Sequence, residues 1–417
     1  MEQLPNESFH TMSYCRHVQA ELLQNSPTGH LVAISGTTNG HPWAHQAFVP
    51  DPLSEESPEL SQAAYRAVAE ARAALAAFDS TAARLPNPRL LRHASLRLEA
   101  QATAALEGTY EPVADVLGAH PTDAASASMT EVLNYLTVAE LAFGWSEDRR
   151  PWSVSALEEL HRLLLLGTKG EREFHGVRPI QVVIGRRDDA GPFDLPVTAA
   201  RYVPPPPGAD LRARLAELLD WMDAGPRSTC DPVVAAAMVH YTFEALHPFH
   251  DGNGRIGRLL IVLHLHRLGV LTEPSITVSP WFEARRQRYY DALLGVSTVG
   301  DWSTWVEMFA EGLASSAADA RRRMLALTDI QHALKDQIRD SPLRTANARL
   351  LVDFAVAHPT FTVRHVAEEL GLQRAGAKKL VDNLVSIGVL AEYGHRSYDR
   401  RFHSPAVLHV LTSNPNA

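Results

Sequence analysis

Apolar residues in this chain recur mostly at helical spacing. Between residues 57 and 78, alanines and larger apolar side chains return every three or four positions, the pattern of one buried helix face. The same pattern predicts helices over 90–106, 122–145, 153–166, 233–246 and 254–268, with helix prevailing onward to about residue 339. Local punctuation agrees with these limits. Leu85-Pro86-Asn87-Pro88 interrupts the first pair, Gly108 suits a helix end, and Asp231-Pro232 reads as an N-cap followed by proline in the first turn.

Two stretches depart from that period. Residues 1–56 are rich in Pro, Ser, Asn and Gly without sustained periodicity, which predicts a poorly ordered or loosely packed extension. Ile180-Gln181-Val182-Val183-Ile184 is rich in β-branched residues and ends at Gly185, and a return strand near 199–203 stops at Pro204 to Pro207. A β-hairpin is the natural reading. After Ser341-Pro342 the order is helix, helix, turn, helix and two short strands. The turn is at Gly371, the third helix runs from Ala375 to Ile387, and the strand region carries Arg396, Arg400 and Arg401. The expected division is therefore 1–56, 57–148, 149–340 and 341–417, with a mostly α fold.

Composition narrows the partners. With 45% hydrophobic and 21% charged residues over 417 positions, the chain reads as soluble and globular. Its net charge of −9 supplies no general field for nucleic acid or anionic membrane, although 341–417 carries nine basic and six acidic residues. Cys15 and Cys230 offer no metal-ligand spacing and read as free thiols of a reducing cytosol. The first residues lack the basic-then-apolar order of a signal peptide, and the most apolar run, Leu259 to Leu271, is interrupted by His264, His266 and Arg267. The expectation is a cytoplasmic protein with no membrane partner. No histidine pair has zincin-like spacing with a carboxylate, so His264 and His266 read as packing or solvated residues.

The chemistry concentrates in His247 to Arg258, HPFHDGNGRIGR, set between two helical segments. A glycine-rich loop feeding a helix N-terminus is a ready anion site, because backbone N–H groups of Gly252, Asn253 and Gly254 and the helix dipole all favour negative charge. Asn253 can add its amide and Arg255 can fork onto phosphate oxygens. Asp251 is a hard carboxylate suited to Mg²⁺, and His247 can accept a proton near neutral pH.

Every specified position of HPFx(D/E)GN(G/K)RxxR is present, and on these residues the chain resembles the Fic family. The resemblance implies a helical Fic core with a β-hairpin flap, plus a C-terminal winged-helix domain. It implies a protein adenylyltransferase that moves AMP from ATP to a Ser, Thr or Tyr hydroxyl of a target or of the chain itself. His247 would be the general base and Asp251 the Mg²⁺ ligand. Gly252, Asn253, Gly254 and Arg255 would bind the α- and β-phosphates, and Arg258 the γ-phosphate. Gly176-Val177-Arg178 before QVVIG resembles the approach to the Fic flap, so a target protein would dock along 177–203 by strand addition.

Upstream, Thr103, Glu107 and Gly108 resemble the (S/T)xxxE(G/N) inhibitory motif of the same family. A spacing of four puts Thr103 and Glu107 on one helix face, from which the carboxylate could pair with Arg258 in place of the γ-phosphate. The last segment resembles the winged helix-turn-helix attached to bacterial Fic cores, with Arg374, Lys378 and Lys379 on or beside its recognition helix. DNA binding and protein docking through 341–417 both remain open, as does homo-oligomer formation. Two other functions also stay open: a DNA-binding transcription regulator with a nucleotide-sensing or self-modifying core, and an enzyme that removes AMP, with Glu107 orienting water.

Overall fold

In the computed structural model, helices make up most of the chain and small antiparallel sheets join them. The structure describes residues 22–38, 40–84, 89–119, 126–172, 175–225, 230–343, 345–394 and 400–413. Cys15, the Leu85–Pro88 interruption and Arg396 lie outside the described residues.

The first elements are strands β1 (Gly29–Thr38) and β2 (His41–Pro50), then helices α1 (Gln62–Ala82), α2 (Arg89–Leu106), α3 (Val113–Gly118), α4 (Ala127–Glu147) and α5 (Val154–Leu165). Strands β3 (Ile184–Arg186) and β4 (Ala200–Tyr202) follow, then α6 (Ala209–Ala224), α7 (Pro232–Leu246) and α8 (Asn253–Arg267). The chain continues through α9 (Ser279–Glu283), α10 (Arg286–Val299), α11 (Trp302–Arg339) and α12 (Ala346–Ala357). It closes with β5 (Phe361–Thr362), α13 (Val363–Glu369), α14 (Arg374–Ser386), β6 (Ala391–Tyr393), β7 (Arg401–His403) and α15 (Pro405–Thr412). Among the described residues no helix is long and apolar enough to cross a membrane.

These elements form two compact units, neither of them a contiguous stretch. One comprises Met1–Glu70, Glu147–Leu268 and Arg285–Glu311; the other comprises Ala71–Ser146, Gly269–Ala284 and Gly312–Ala417.

In the first unit, β1 and β2 form a hairpin paired from Gly29↔Pro50 to Thr38↔His41. This corrects the expectation of a loosely packed extension for residues 29–50. Val32, Ile34, Trp43 and Ala47 pack with Val183, Leu195, Val197 and Val203. The outward positions include Ala33 and Ala44, so the apolar–polar contrast along the strands is too weak to reveal the period. Phe48 N–H also donates to the Val203 carbonyl at 2.9 Å, joining β2 to the end of β4. The β3–β4 pairing runs Ile184↔Tyr202 and Arg186↔Ala200. The strand begins later than the β-branched run suggests, because Gln181 turns its amide onto the Pro204 carbonyl at 2.9 Å.

Helix α7 starts where Asp231 accepts a hydrogen bond from Val233 N–H at 2.8 Å, with Pro232 in the first turn. It packs closely on α8 at Gly257, where a Cβ would come within 2.5 Å of Glu244 Oε1 and 3.0 Å of Phe243. Buried His240 bridges α7 to α8 through the Gly257 carbonyl (3.1 Å) and to α10 through the Tyr289 hydroxyl (2.8 Å).

In the second unit α2 packs along α9. Buried Glu99 accepts from Ser279 N–H (3.0 Å) and Oγ (2.5 Å), and Arg92 forks onto Glu273 at 2.5 and 3.0 Å. Helices α12 to α14 and the strands between and after them enclose a core of Phe354, Phe361, Val366, Val381, Leu384 and Phe402. Their sheet has the order β5-β7-β6. Helix α15 is an element the strand-ending sequence pattern did not show. Tyr393 donates to the Ala114 carbonyl at 2.8 Å and Thr360 to that of Gly118 at 3.0 Å, so this C-terminal part rests on α3.

Candidate active site

The site is the loop between α7 and α8, and its shape begins with two residues in left-handed conformation. His247 ends α7 at φ 46°, and Gly252 precedes α8 at φ 77°. Only glycine serves at 252, since a Cβ there would also stand 2.9 Å from Leu164 Cδ2 on α5. At 247 a non-glycine residue holds a conformation that costs energy, which surrounding contacts must offset.

Asn253 braces the loop from within. Its Oδ1 accepts from Phe249 N–H at 2.8 Å and its Nδ2 donates to the Phe249 carbonyl at 2.9 Å. One N–H of the amide expected to reach out to phosphate is thus given to the loop itself. Asp251 is half exposed; its Oδ1 accepts from Gly252 N–H (2.6 Å) and its Oδ2 from Arg255 Nη2 (3.1 Å). Arg255 and Arg258 are 2% and 1% exposed, one turn apart on α8, and Gly254 is buried between loop and helix. The structure therefore gathers Asp251, Gly252, Asn253, Gly254 and Arg255 at one helix N-terminus, where orphan N–H groups and the dipole favour an anion.

His247 is oriented from the preceding turn. Its Nδ1 lies 3.3 Å from the Glu244 carbonyl, which can only accept, so this contact is made with a proton on Nδ1. The Glu244 carboxylate is 3.9 Å from the same nitrogen.

Sequence reasoning missed several supporting residues. His161 on α5 is fully buried; its Nε2 donates to the Asp251 carbonyl at 2.9 Å, and its ring stacks on Phe249 with centroids 4.1 Å apart. Burial pushes its pKa down to about 4, so it works as a neutral donor. A histidine on the apolar stripe Leu157-Leu160-Leu164 was the available signal. Arg178 was quoted only as part of the run before the hairpin, yet it is 1% exposed and donates from Nε to the His247 carbonyl at 2.8 Å.

In the second unit, Thr103 is fully buried within α2. Glu107 stands exposed just past the last helical residue, Leu106, and Gly108 follows at φ 92°. The two motif residues therefore differ in exposure, because the helix ends between them.

The geometry is that of a helical domain with a glycine-capped helix N-terminus, a hairpin tied to the same loop through Arg178 and a histidine at the loop's other end. Residues 151–265 match the Fic/DOC family and residues 65–144 the Fic/DOC family N-terminal region. The chain thus carries a Fic/DOC region preceded by a Fic/DOC N-terminal region. Protein adenylyltransferase fic-1 of Caenorhabditis elegans is 31% identical over 166 residues, covering 40% of this chain and 28% of that protein. Protein adenylyltransferase Fic of Culex quinquefasciatus is 36% identical over 110 residues, covering 26% of this chain and 20% of its own length. The chain thus spans less than a third of either relative. A crystal structure of a Fic family protein from Desulfovibrio desulfuricans G20 shares the fold, with a TM-score of 0.50 and 23% identity over 84% of this chain and 98% of that one.

Proposed function

We propose that this chain transfers AMP from ATP to a hydroxyl of a target protein or of itself. The observation that carries the reading is the loop's two ends: a histidine whose Nδ1 is held on the Glu244 carbonyl, and a helix N-terminus built around Gly252, Asp251 and Arg255. The names of the two relatives support it.

In this reading the α- and β-phosphates lie at the N-terminus of α8, with Arg255 and Arg258 supplying charge. The target hydroxyl gives its proton to His247 Nε2 while its oxygen bonds to the α-phosphorus. The bond from that phosphorus to the bridging oxygen breaks, and pyrophosphate leaves with the electron pair. A single half-exposed carboxylate, Asp251, fits a Mg²⁺ ion that keeps waters and phosphate oxygens as its other ligands. Among the described residues no group of three or more His, Cys, Asp or Glu could form a self-contained metal cage. When bound, the ion neutralises phosphate charge; this chain's part is to hold Asp251 through Gly252 and Arg255.

The target strand would add to β3, since β4 is already flanked by β3 and, through Phe48, by β2. Glu107, exposed at the end of α2 and followed by a glycine in left-handed conformation, is the proposed brake. The test is Mg²⁺-dependent labelling with α-³²P-ATP of wild type, Glu107→Gly and Glu107→Gly/His247→Ala. Labelling that rises with Glu107→Gly and disappears in the double variant supports transferase, brake and base together. Absence of label in all three overturns the reading, and release of AMP from a modified protein would point to the reverse reaction.

Residues 341–417 are proposed as a winged helix, supported by the helix–helix order α13–α14 and the β6–β7 pair. Lys378 is paired with Asp382 at 2.5 Å and Arg400 with Glu392 at 3.0 Å, which lowers the positive potential and favours a protein partner over DNA. Retention of a DNA duplex with a steep salt dependence would reverse that preference.

A further inference from the structure

The last carbonyls of an α-helix have no partner within the helix and are usually closed off by a glycine in left-handed conformation or by water. Helix α7 ends differently. The Ala245 carbonyl accepts from the Tyr202 hydroxyl at 3.0 Å. The Leu246 carbonyl accepts from Arg178 Nη2 at 3.5 Å and the His247 carbonyl from Arg178 Nε at 2.8 Å. The Pro248 carbonyl accepts from the Arg178 backbone N–H at 2.9 Å. Four consecutive carbonyls are thus received by two residues, one just before the β3–β4 hairpin and one within it.

Arg178 also reaches the other way. Nη1 donates to the Ile180 carbonyl at 3.1 Å and Nη2 to that of Pro205 at 2.5 Å, the two points where the chain enters and leaves the hairpin. One buried guanidinium therefore spans the base of the hairpin and the histidine loop. Only a planar fork with five N–H donors can serve that many fixed acceptors, and a lysine would meet them as a point charge. Burial lowers the Arg178 pKa to about 10, so the group remains a cation near neutrality, where the negative end of the α7 dipole favours it.

We propose that Arg178 is a positioning residue for His247: it holds the base in its left-handed setting and ties it to the β3–β4 hairpin, so that a strand added to β3 is aligned with the base. Only the activity arm of the test below rests on the transferase reading.

Arg178→Ala and Arg178→Lys are to be compared in the Glu107→Gly background. Misplacing the base costs rate more than nucleotide affinity, so kcat falls about a hundredfold in Arg178→Ala with KM for ATP changed less than about threefold. Added guanidinium ion restores part of kcat in Arg178→Ala and none in Arg178→Lys, where the ammonium fills the cavity. A merely structural role would lower melting temperature and both constants together, without rescue. The second arm needs no transfer at all. In histidine-labelled protein, with the His247 resonance assigned by its loss in His247→Ala, Arg178→Lys moves the His247 imidazole signal and leaves that of buried His264 in place. A His247 signal that does not move in Arg178→Lys, or a kcat within about twofold of the parent, overturns the proposal. If the Glu107→Gly parent does not label, the transferase reading falls and the spectroscopic comparison alone decides Arg178.

Discussion

His161 donates its Nε2 proton to the carbonyl of Asp251 across 2.9 Å, from a helix ninety residues earlier in the chain. The contact fixes the peptide that carries the proposed metal ligand, while stacking on Phe249 at 4.1 Å holds the ring. His161→Phe keeps the ring and deletes the donor. Steady-state labelling of this variant in the Glu107→Gly background is expected to show KM for MgATP raised about tenfold, roughly the worth of one buried hydrogen bond, with little change in melting temperature.

Gly252→Ala is expected to be far worse than its single methyl suggests. The backbone at φ 77° is costly for alanine, and the new Cβ would stand 2.9 Å from Leu164 Cδ2. The loop must shift at the phosphate cradle, so labelling should fall at least about a hundredfold, the scale set by roughly an ångström of misplacement. Circular dichroism is the check that the helices persist. Labelling near the parent level would mean that the cradle does not depend on this geometry.

Acid should destabilise the protein through imidazoles outside the site. Burial lowers the pKa of His240 to about 3 and of His264 to about 4, against 6.5 in an open chain. Between those limits the unfolded chain binds more protons than the folded one, so stability is lost as pH falls below 6.5 and levels off only beneath the folded values. Between pH 7 and pH 4.5 the loss is on the order of 2–3 kcal/mol per histidine. Urea unfolding from pH 7 to pH 4.5 measures it. Neither ring nitrogen of His264 has a hydrogen-bond partner among the described residues, so His264→Leu should flatten the slope and stabilise the protein by about 1 kcal/mol.

The pairing of Glu99 with Ser279 predicts a stability effect without a direct catalytic one. Glu99 is 3% exposed and accepts from both the backbone N–H and the hydroxyl of Ser279. Glu99→Ala leaves both donors buried and unsatisfied, a cost of about 2–4 kcal/mol. Urea unfolding gives the number; a loss below about 0.5 kcal/mol would show that water reaches Ser279 freely.

Helix limits were legible because their signals are local. The Asp231-Pro232 start of α7 and the glycine close of α8 need only neighbouring residues. The β1–β2 hairpin was not, because its inward residues are recognised by Val183, Leu195, Val197 and Val203, far along the chain. Its outward face carries alanines that blur the alternation. Exposure of Glu107 beside buried Thr103 was equally hidden, since spacing alone does not show where α2 ends.

The same division runs through the site. The sequence by itself determined the order of groups from His247 to Arg258, because the proposed phosphate cradle at a helix N-terminus is made by consecutive residues. Tertiary structure decided what each of them is free to do. It turned the Asn253 amide inward onto Phe249, set the Asp251 carbonyl on His161, and closed the end of α7 with Arg178 and Tyr202. Except for Phe249, those partners come from other elements. A buried polar group must find its acceptor wherever the fold brings one, and that distance in sequence is what no local pattern records.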